Sequence, residues 1–173
     1  DVTGVQTCAL PISVWGLTVE NTTDNGFIIG GGYDSRYNMY ALKLTAAGAM
    51  EWQKSYSNPS PAAGHEERWR HEARGLLQTA DGGYIMLGAG NNQDDGLPTA
   101  GYLLVKTDAS GTVVWSKTYA PDNPYDPGHF CVENRPYALD ITTDGGYMAV
   151  GSSYVGGYNL ASILKTDADC NLE

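Results

Sequence analysis

The sequence predicts an all-β fold, a partial β-propeller of about three four-stranded antiparallel blades with the last one truncated. Three observations carry that prediction. A turn signal of the form Thr-x-Asp-Gly-Gly-Tyr is written three times, as Thr22-Thr23-Asp24-Asn25-Gly26-Phe27, Thr79-Ala80-Asp81-Gly82-Gly83-Tyr84 and Thr142-Thr143-Asp144-Gly145-Gly146-Tyr147. A second signal follows each one, running from Lys43 to Trp52, from Lys106 to Trp115, and from Lys165 onward to Glu173. The strands after the turns are apolar at every position, as in Tyr84-Ile85-Met86-Leu87. An antiparallel strand with one wet face alternates, so a continuous apolar run means that both faces are covered. Recurrence at near-fixed spacing is the mark of stacked repeats.

The middle copy shows the elements in order. Gly75 to Thr79 forms a short strand, and Ala80-Asp81-Gly82-Gly83 is a tight turn of residues that tolerate positive φ. Tyr84 to Leu87 and Tyr102 to Val105 are the two buried strands. Asp108-Ala109-Ser110-Gly111 turns the chain into Val113 to Tyr119, where Val113, Trp115, Lys117 and Tyr119 share one face of a less buried outer strand. Four such strands are a propeller blade, and Trp52 or Trp115 fills the wedge that widens toward the rim. The copies set the organisation as blade 1 at 13–57, blade 2 at 71–120 and blade 3 at 135–173, with inter-blade loops at 58–70 and 121–134. A β-solenoid is the rival architecture, but its coils take about 20–29 residues. Here the turns at Asp24, Asp81 and Asp144 are separated by 57 and 63 residues.

Composition bounds the rest. The chain has 173 residues, a net charge of −10, 22 Gly and 12 Tyr, and only 17% charged residues, which suits turns and aromatic-bearing strands. The acidic balance excludes nucleic acid and an anionic membrane surface as partners, and no apolar run reaches the roughly 18 residues of a membrane-spanning helix. Residues 1–12 stand outside the repeat. The run Val2 to Ile12 resembles the in-frame translation of a common sequencing-library adapter, and fold reasoning therefore starts after it. The pattern stops one residue short of the third Trp, so the chain is expected to be a fragment whose remaining blades lie elsewhere. Cys131 and Cys170 fall at opposite ends of a blade, which disfavours a disulfide between them.

The double motif carries a family resemblance. Asp-Gly-Gly-Tyr followed by Gly, then Leu-x-Lys-Thr-Asp-x-x-Gly-x-x-x-Trp, resembles a family of secreted bacterial and archaeal repeat propellers. Its strand–turn–Trp half is similar to the blade of quinoprotein-type (PQQ-like) propellers. The resemblance covers residues 14 to 173 apart from the loops. It implies an extracellular or surface-attached binding or scaffolding module, or else a propeller of a secreted carbohydrate-active protein, with glycan binding or endoglucanase-like hydrolysis. A PQQ-dependent oxidoreductase would need a cofactor cage at the propeller axis, and no such set stands in this sequence, so no cofactor is expected. Copy three departs from the pattern by placing Cys170 where the turn glycine belongs.

Alternating strand direction puts the A–B and C–D turns at one end of the propeller and the B–C and D–A connections at the other. The short regular turns share the first end. The irregular stretches 32–40, 57–70, 89–101, 120–134 and 152–160 share the second, where a ligand is expected, since variable loops on a rigid scaffold carry function. The candidate binding residues are His65, Glu66, Trp69, His71, Asp94, Asp95, Tyr125, His129, Tyr154 and Tyr158, with a glycan or protein as the expected partner. Aromatic and amide side chains suit such recognition. His65 and His71 do not match the His-Glu-x-x-His zinc spacing, and residues 62–74 also read as a short helix. Asn91 to Gly96 lacks the alternating acidic spacing of a calcium loop. No metal is expected. Asp24, Asp81 and Asp144, Lys43, Lys106 and Lys165, and Trp52 and Trp115 recur once per blade and are assigned to the scaffold, the Asp–Lys pairs contributing little if exposed.

Overall fold

The computed structural model describes residues 14–33, 38–57, 72–92, 99–119, 133–155 and 158–172, which hold eleven strands. The first sheet contains β1 (Val14–Asn21), β2 (Phe27–Tyr33), β3 (Asn38–Leu44) and β4 (Met50–Ser57). The second contains β5 (Gly75–Gln78), β6 (Tyr84–Asn92), β7 (Thr99–Thr107) and β8 (Val113–Tyr119). The third contains β9 (Glu133–Ile141), β10 (Tyr147–Val155) and β11 (Tyr158–Thr166). Strands pair in chain order and antiparallel in every sheet. In the third, an isolated bridge between Thr166 and Leu172 stands where a fourth strand begins. These are three blades of a β-propeller.

All six A–B and C–D turns have one geometry. In each, the first residue's amide donates to the carbonyl four residues on, and the fourth residue's amide donates back to the first residue's carbonyl. Thr79 and Gly83 show it at 2.9 Å, and Asp108 and Thr112 at 2.9 Å. The fourth residue has positive φ, which is the type I turn with a following left-handed residue that favours Gly. Gly48, Gly82, Gly111 and Gly145 fill this position, joined by Asn25 (φ 65°) and Cys170 (φ 62°). Cys170 therefore keeps the turn, with its amide donating to Asp167 at 3.1 Å.

The core lies between blades. Ile28, Met39, Ala41 and Tyr56 of blade 1 pack on Leu76, Tyr84, Met86, Leu103 and Val105 of blade 2. On its other side blade 2 packs Ile85, Leu87, Tyr102 and Leu104 on Tyr147, Ala149 and Leu164 of blade 3. The continuous apolar runs are thus buried on both faces, as their lack of alternation requires. Trp52 meets Tyr84 edge-on at 5.6 Å between ring centroids, and Trp115 meets Tyr147 at 6.2 Å. The outer strands lock the same junctions: Tyr56 Oη donates to the Gly111 carbonyl at 2.9 Å, and Tyr119 Oη donates to that of Cys170 at 2.9 Å. Near the axis the inner strands approach so closely that a Cβ on Gly75 would lie 2.6 Å from Leu139 Cβ. Pro136 is tolerated in β9 because β9 pairs on one side only.

Two expectations need correction. The stretches 32–40, 89–101 and 152–160 are mostly strand, since β2 and β3, β6 and β7, and β10 and β11 continue into them and leave only 34–37, 93–98 and 156–157 outside. Backbone pairing there carries Gly, Ser and Asn, which show no hydrophobic period. The expected helix at 62–74 does not include its last three residues. The Ala73 amide donates to Gly31 and the Arg74 amide to Leu87, tying this segment across blades 1 and 2.

Candidate functional site

The two ends of the blades have different chemistry. At the A–B end, each aspartate is held from several sides. Asp81 Oδ1 accepts from Thr79 Oγ1 at 2.6 Å and from the Gly83 amide at 3.0 Å, while Lys106 Nζ lies 2.8 Å from Oδ2. Lys106 also donates to the Thr107 carbonyl at 2.9 Å. Blade 1 repeats this set with Asp24, Thr22, the Gly26 amide and Lys43, which adds Glu51 at 2.9 Å. Blade 3 repeats it with Asp144, Thr142, the Gly146 amide and Lys165 at 3.2 Å.

Electrostatics follow from these contacts. The Lys106 and Thr79 hydrogen bonds hold the Asp81 carboxyl at about 2, and those from Thr142, the Gly146 amide and Lys165 hold Asp144 at about 2. Lys43 and Thr22 lower Asp24 further. Burial alone would lower the Lys43 ammonium, but its bonds to Asp24 and Glu51 outweigh burial and the net shift is upward. Lys43 and Lys106 are buried, so these pairs differ from the exposed kind expected to contribute little. All three aspartates spend their acceptors on the turn and the lysine. Their arrangement is that of a closure, with one copy per blade.

The opposite end carries the B–C hairpins. His65, Glu66, Trp69, His71, Asp94, Asp95, Tyr125 and His129 lie outside the described residues, as does Cys131. Tyr154 and Tyr158 lie on β10 and β11, flanking residues 156–157. The register places them on opposite faces of the sheet. Tyr154 shares its face with Met148 and Val150, turned away from blade 2, whereas Tyr158 pairs with Val155 on the face turned toward blade 2. Tyr158 is 73% exposed.

Behind Tyr158, at the mouth of the junction between blades 2 and 3, lies a cluster that sequence reasoning did not single out. Tyr102 of blade 2 hydrogen-bonds Ser162 of blade 3, and burial pushes the Tyr102 phenol up. One register step farther toward the hairpin, Ser153 Oγ donates to Asn134 Oδ1, and both residues are buried. The signal that could have found it is a break between copies. Ser162 stands where the other blades have Tyr40 and Leu103, each two residues toward the hairpin from an apolar position that precedes the lysine. A polar residue at a position the repeat makes apolar needs a partner, and Tyr102 supplies it.

Among the described residues, no group of three or more His, Cys, Asp or Glu could hold a metal ion. No helix among them is long and apolar enough to cross a membrane. Cys170 is a free, buried thiol, which burial pushes up.

No family model matches the chain, and no curated protein matches it. Two solved structures share its architecture. A GH43 beta-1,3-galactosidase aligns over 90% of this chain and 31% of its own, with 14% identity and a TM-score of 0.53. The exo-beta-1,3-galactanase 1,3Gal43A from Clostridium thermocellum aligns over 99% of this chain and 36% of its own, with 19% identity and a TM-score of 0.53. The chain spans about a third of the length of either protein. At these identities the likeness establishes the fold, and the chain is similar to an arc of such propellers.

Proposed function

We propose that the chain is part of an extracellular or surface-attached propeller that binds a glycan at the end carrying the B–C hairpins. The observation that carries this reading is the exposed Tyr158 ring at the junction between blades 2 and 3. Tyr158 offers an exposed ring on the face of blade 3 turned toward blade 2, and the buried Ser153–Asn134 and Tyr102–Ser162 hydrogen bonds brace the junction beneath it. An exposed aromatic ring held on a braced sheet is what the apolar face of a sugar stacks on. The two solved propellers are named for action on beta-1,3-galactose linkages, which makes a beta-1,3-galactan oligosaccharide the first ligand to try. The test is calorimetric titration of that oligosaccharide into the protein. Saturable binding weakened about tenfold by Tyr158→Ala, or about 1.4 kcal/mol, supports the reading. A flat titration with this sugar and with a panel of other glycans overturns it, leaving a protein-binding scaffold.

Hydrolysis is the second reading, favoured by the names of the same two structures. A glycosidase needs two carboxyl groups about 5–10 Å apart. Glu66, Glu67, Asp94 and Asp95, which lie outside the described residues, are the candidates the sequence offers, and Asp24, Asp81 and Asp144 are not, being committed to turns and lysines. Release of reducing sugar from the bound oligosaccharide would establish this reading, and its absence alongside binding would exclude it.

A further inference from the structure

Among the described residues, one acidic side chain is buried. Glu72 lies at the B–C end, where the chain enters β5 of the middle blade. Its Oε2 accepts from Arg74 Nη2 at 2.9 Å, and no other described residue donates to its side chain. The Arg74 side chain is itself one-third exposed, although blade 2 has a blade packed on each face. β5 pairs with β6 alone, so the sheet edge beside Arg74 is the open inner one. The segment is fixed from both blades. The Ala73 amide donates to the Gly31 carbonyl of blade 1 at 2.9 Å, and the Arg74 amide donates to that of Leu87 at 2.8 Å. A Cβ on Gly88 would come within 3.0 Å of the Glu72 carbonyl oxygen, so a glycine lets the segment lie against β6. The repeat does not call for an arginine here. Thr18, Gly75 and Ala138 hold one register position, opposite Gly30, Leu87 and Val150, and the residues before them are Leu17, Arg74 and Tyr137.

We propose that Arg74, oriented by Glu72, is a second contact for the glycan at this end, donating to adjacent hydroxyl oxygens of a neutral sugar. The inference rests on the glycan reading and adds to it a polar contact at the inner edge of blade 2. A guanidinium presents five N–H groups in a rigid fork. One of its nitrogens is spent on Glu72, and the donors left on the exposed side suit two oxygens side by side, as in a vicinal diol. Glu72 balances the charge of Arg74, and the whole chain carries a net charge of −10, so a neutral sugar fits better than one bearing carboxylate or sulfate. Being buried, Glu72 is a positioning residue that acts through Arg74. Burying a carboxylate against one part-exposed arginine gains little stability over apolar residues of similar size, and blade 1 uses Leu17 at the Arg74 position. The aim given to Arg74 is what accounts for the pair.

Calorimetric titration of a beta-1,3-galactan oligosaccharide into Arg74→Lys tests it. Lysine keeps a cation beside the buried Glu72 but loses the fork, so the melting curve should stay that of the parent while affinity falls about tenfold. Glu72→Ala should weaken binding as much, whereas Glu72→Gln, whose carboxamide oxygen still accepts from Arg74, should retain most of it. Should Arg74→Lys fail to fold, Glu72→Gln combined with Arg74→Leu removes both charges together and should show the same loss. A parent that binds, and is weakened by Tyr158→Ala but not by Arg74→Lys, overturns this inference and leaves the glycan reading standing. Equal affinity of Glu72→Ala and the parent overturns the role given to Glu72. A parent that binds no glycan overturns the glycan reading itself, and this inference with it.

Discussion

At the A–B and C–D end, the three blades use one turn, one aspartate, one threonine and one lysine in the same bonds. At the B–C end the three copies differ in sequence, and a buried Ser153–Asn134 pair and a Tyr102–Ser162 bond occur at one junction among the described residues. The contrast separates two kinds of polar residue. Those at the repeated end have their hydrogen-bonding capacity filled by the fold itself. Those at the varied end include Tyr158, whose ring is left to solvent, and that is where a ligand finds something to bind.

The contrast breaks most visibly if a repeated residue is removed. Asp81→Ala strips the buried Lys106 ammonium of its anion, and should cost about 2–3 kcal/mol in denaturant unfolding, toward the low side of what an unpaired buried charge costs. Binding at the other end should not change. If Asp81→Ala were as stable as the parent, the aspartates would not be closures and a role in chemistry would reopen.

The same end governs acid stability. Asp81 and Asp144 are held at about 2 in the fold, below the ordinary carboxylate value near 4, and Asp24 is lowered as well. A depressed carboxyl stabilises the fold above its unfolded value and loses that contribution as pH falls through its folded value. The melting temperature should therefore decline from about pH 4 to about pH 2. At high pH the sign reverses. Burial raises Tyr56, and Tyr119 to about 12, so stability is complete below the ordinary tyrosine value and declines from about pH 10 to about pH 12. A melting temperature flat from pH 4 to pH 2 would contradict the acid half.

Tyr158→Ala sharpens the comparison from the other side. Its ring is exposed, so unfolding should change by less than about 0.5 kcal/mol, while glycan binding should fall. The smallest effect expected is at Asn25. It holds a left-handed conformation at φ 65° in an exposed turn where the other blades use glycine, so Asn25→Gly should stabilise by about 0.5 kcal/mol. A loss of stability there would mean that the Asn25 side chain takes part in the turn.

Much of the architecture was legible because the physics that sets it repeats. Tyr84-Ile85-Met86-Leu87 announces a strand covered on both faces, and the Asp-Gly-Gly turns announce where strands reverse. The length of the hairpins was not legible. β6 continues through Gly88 to Asn92 and β10 through Ser152 to Val155 on backbone pairing, which leaves no apolar period to read. The Lys–Asp pairs could be guessed from their recurrence, but the burial of Lys43 and Lys106 depends on the neighbouring blade and is invisible to a single strand. The Tyr102–Ser162 contact joins residues 60 positions apart, and only the register that sets Ser162 opposite Gly151 reveals that it faces blade 2.

The central claim is that recognition belongs to the varied end and stability to the repeated one. One titration tests it most directly: a beta-1,3-galactan oligosaccharide against the parent chain, Tyr158→Ala and Asp81→Ala under one condition where all three are folded. The account predicts binding by the parent and by Asp81→Ala with equal affinity, and binding weakened about tenfold for Tyr158→Ala. Binding lost with Asp81→Ala and retained with Tyr158→Ala would contradict it.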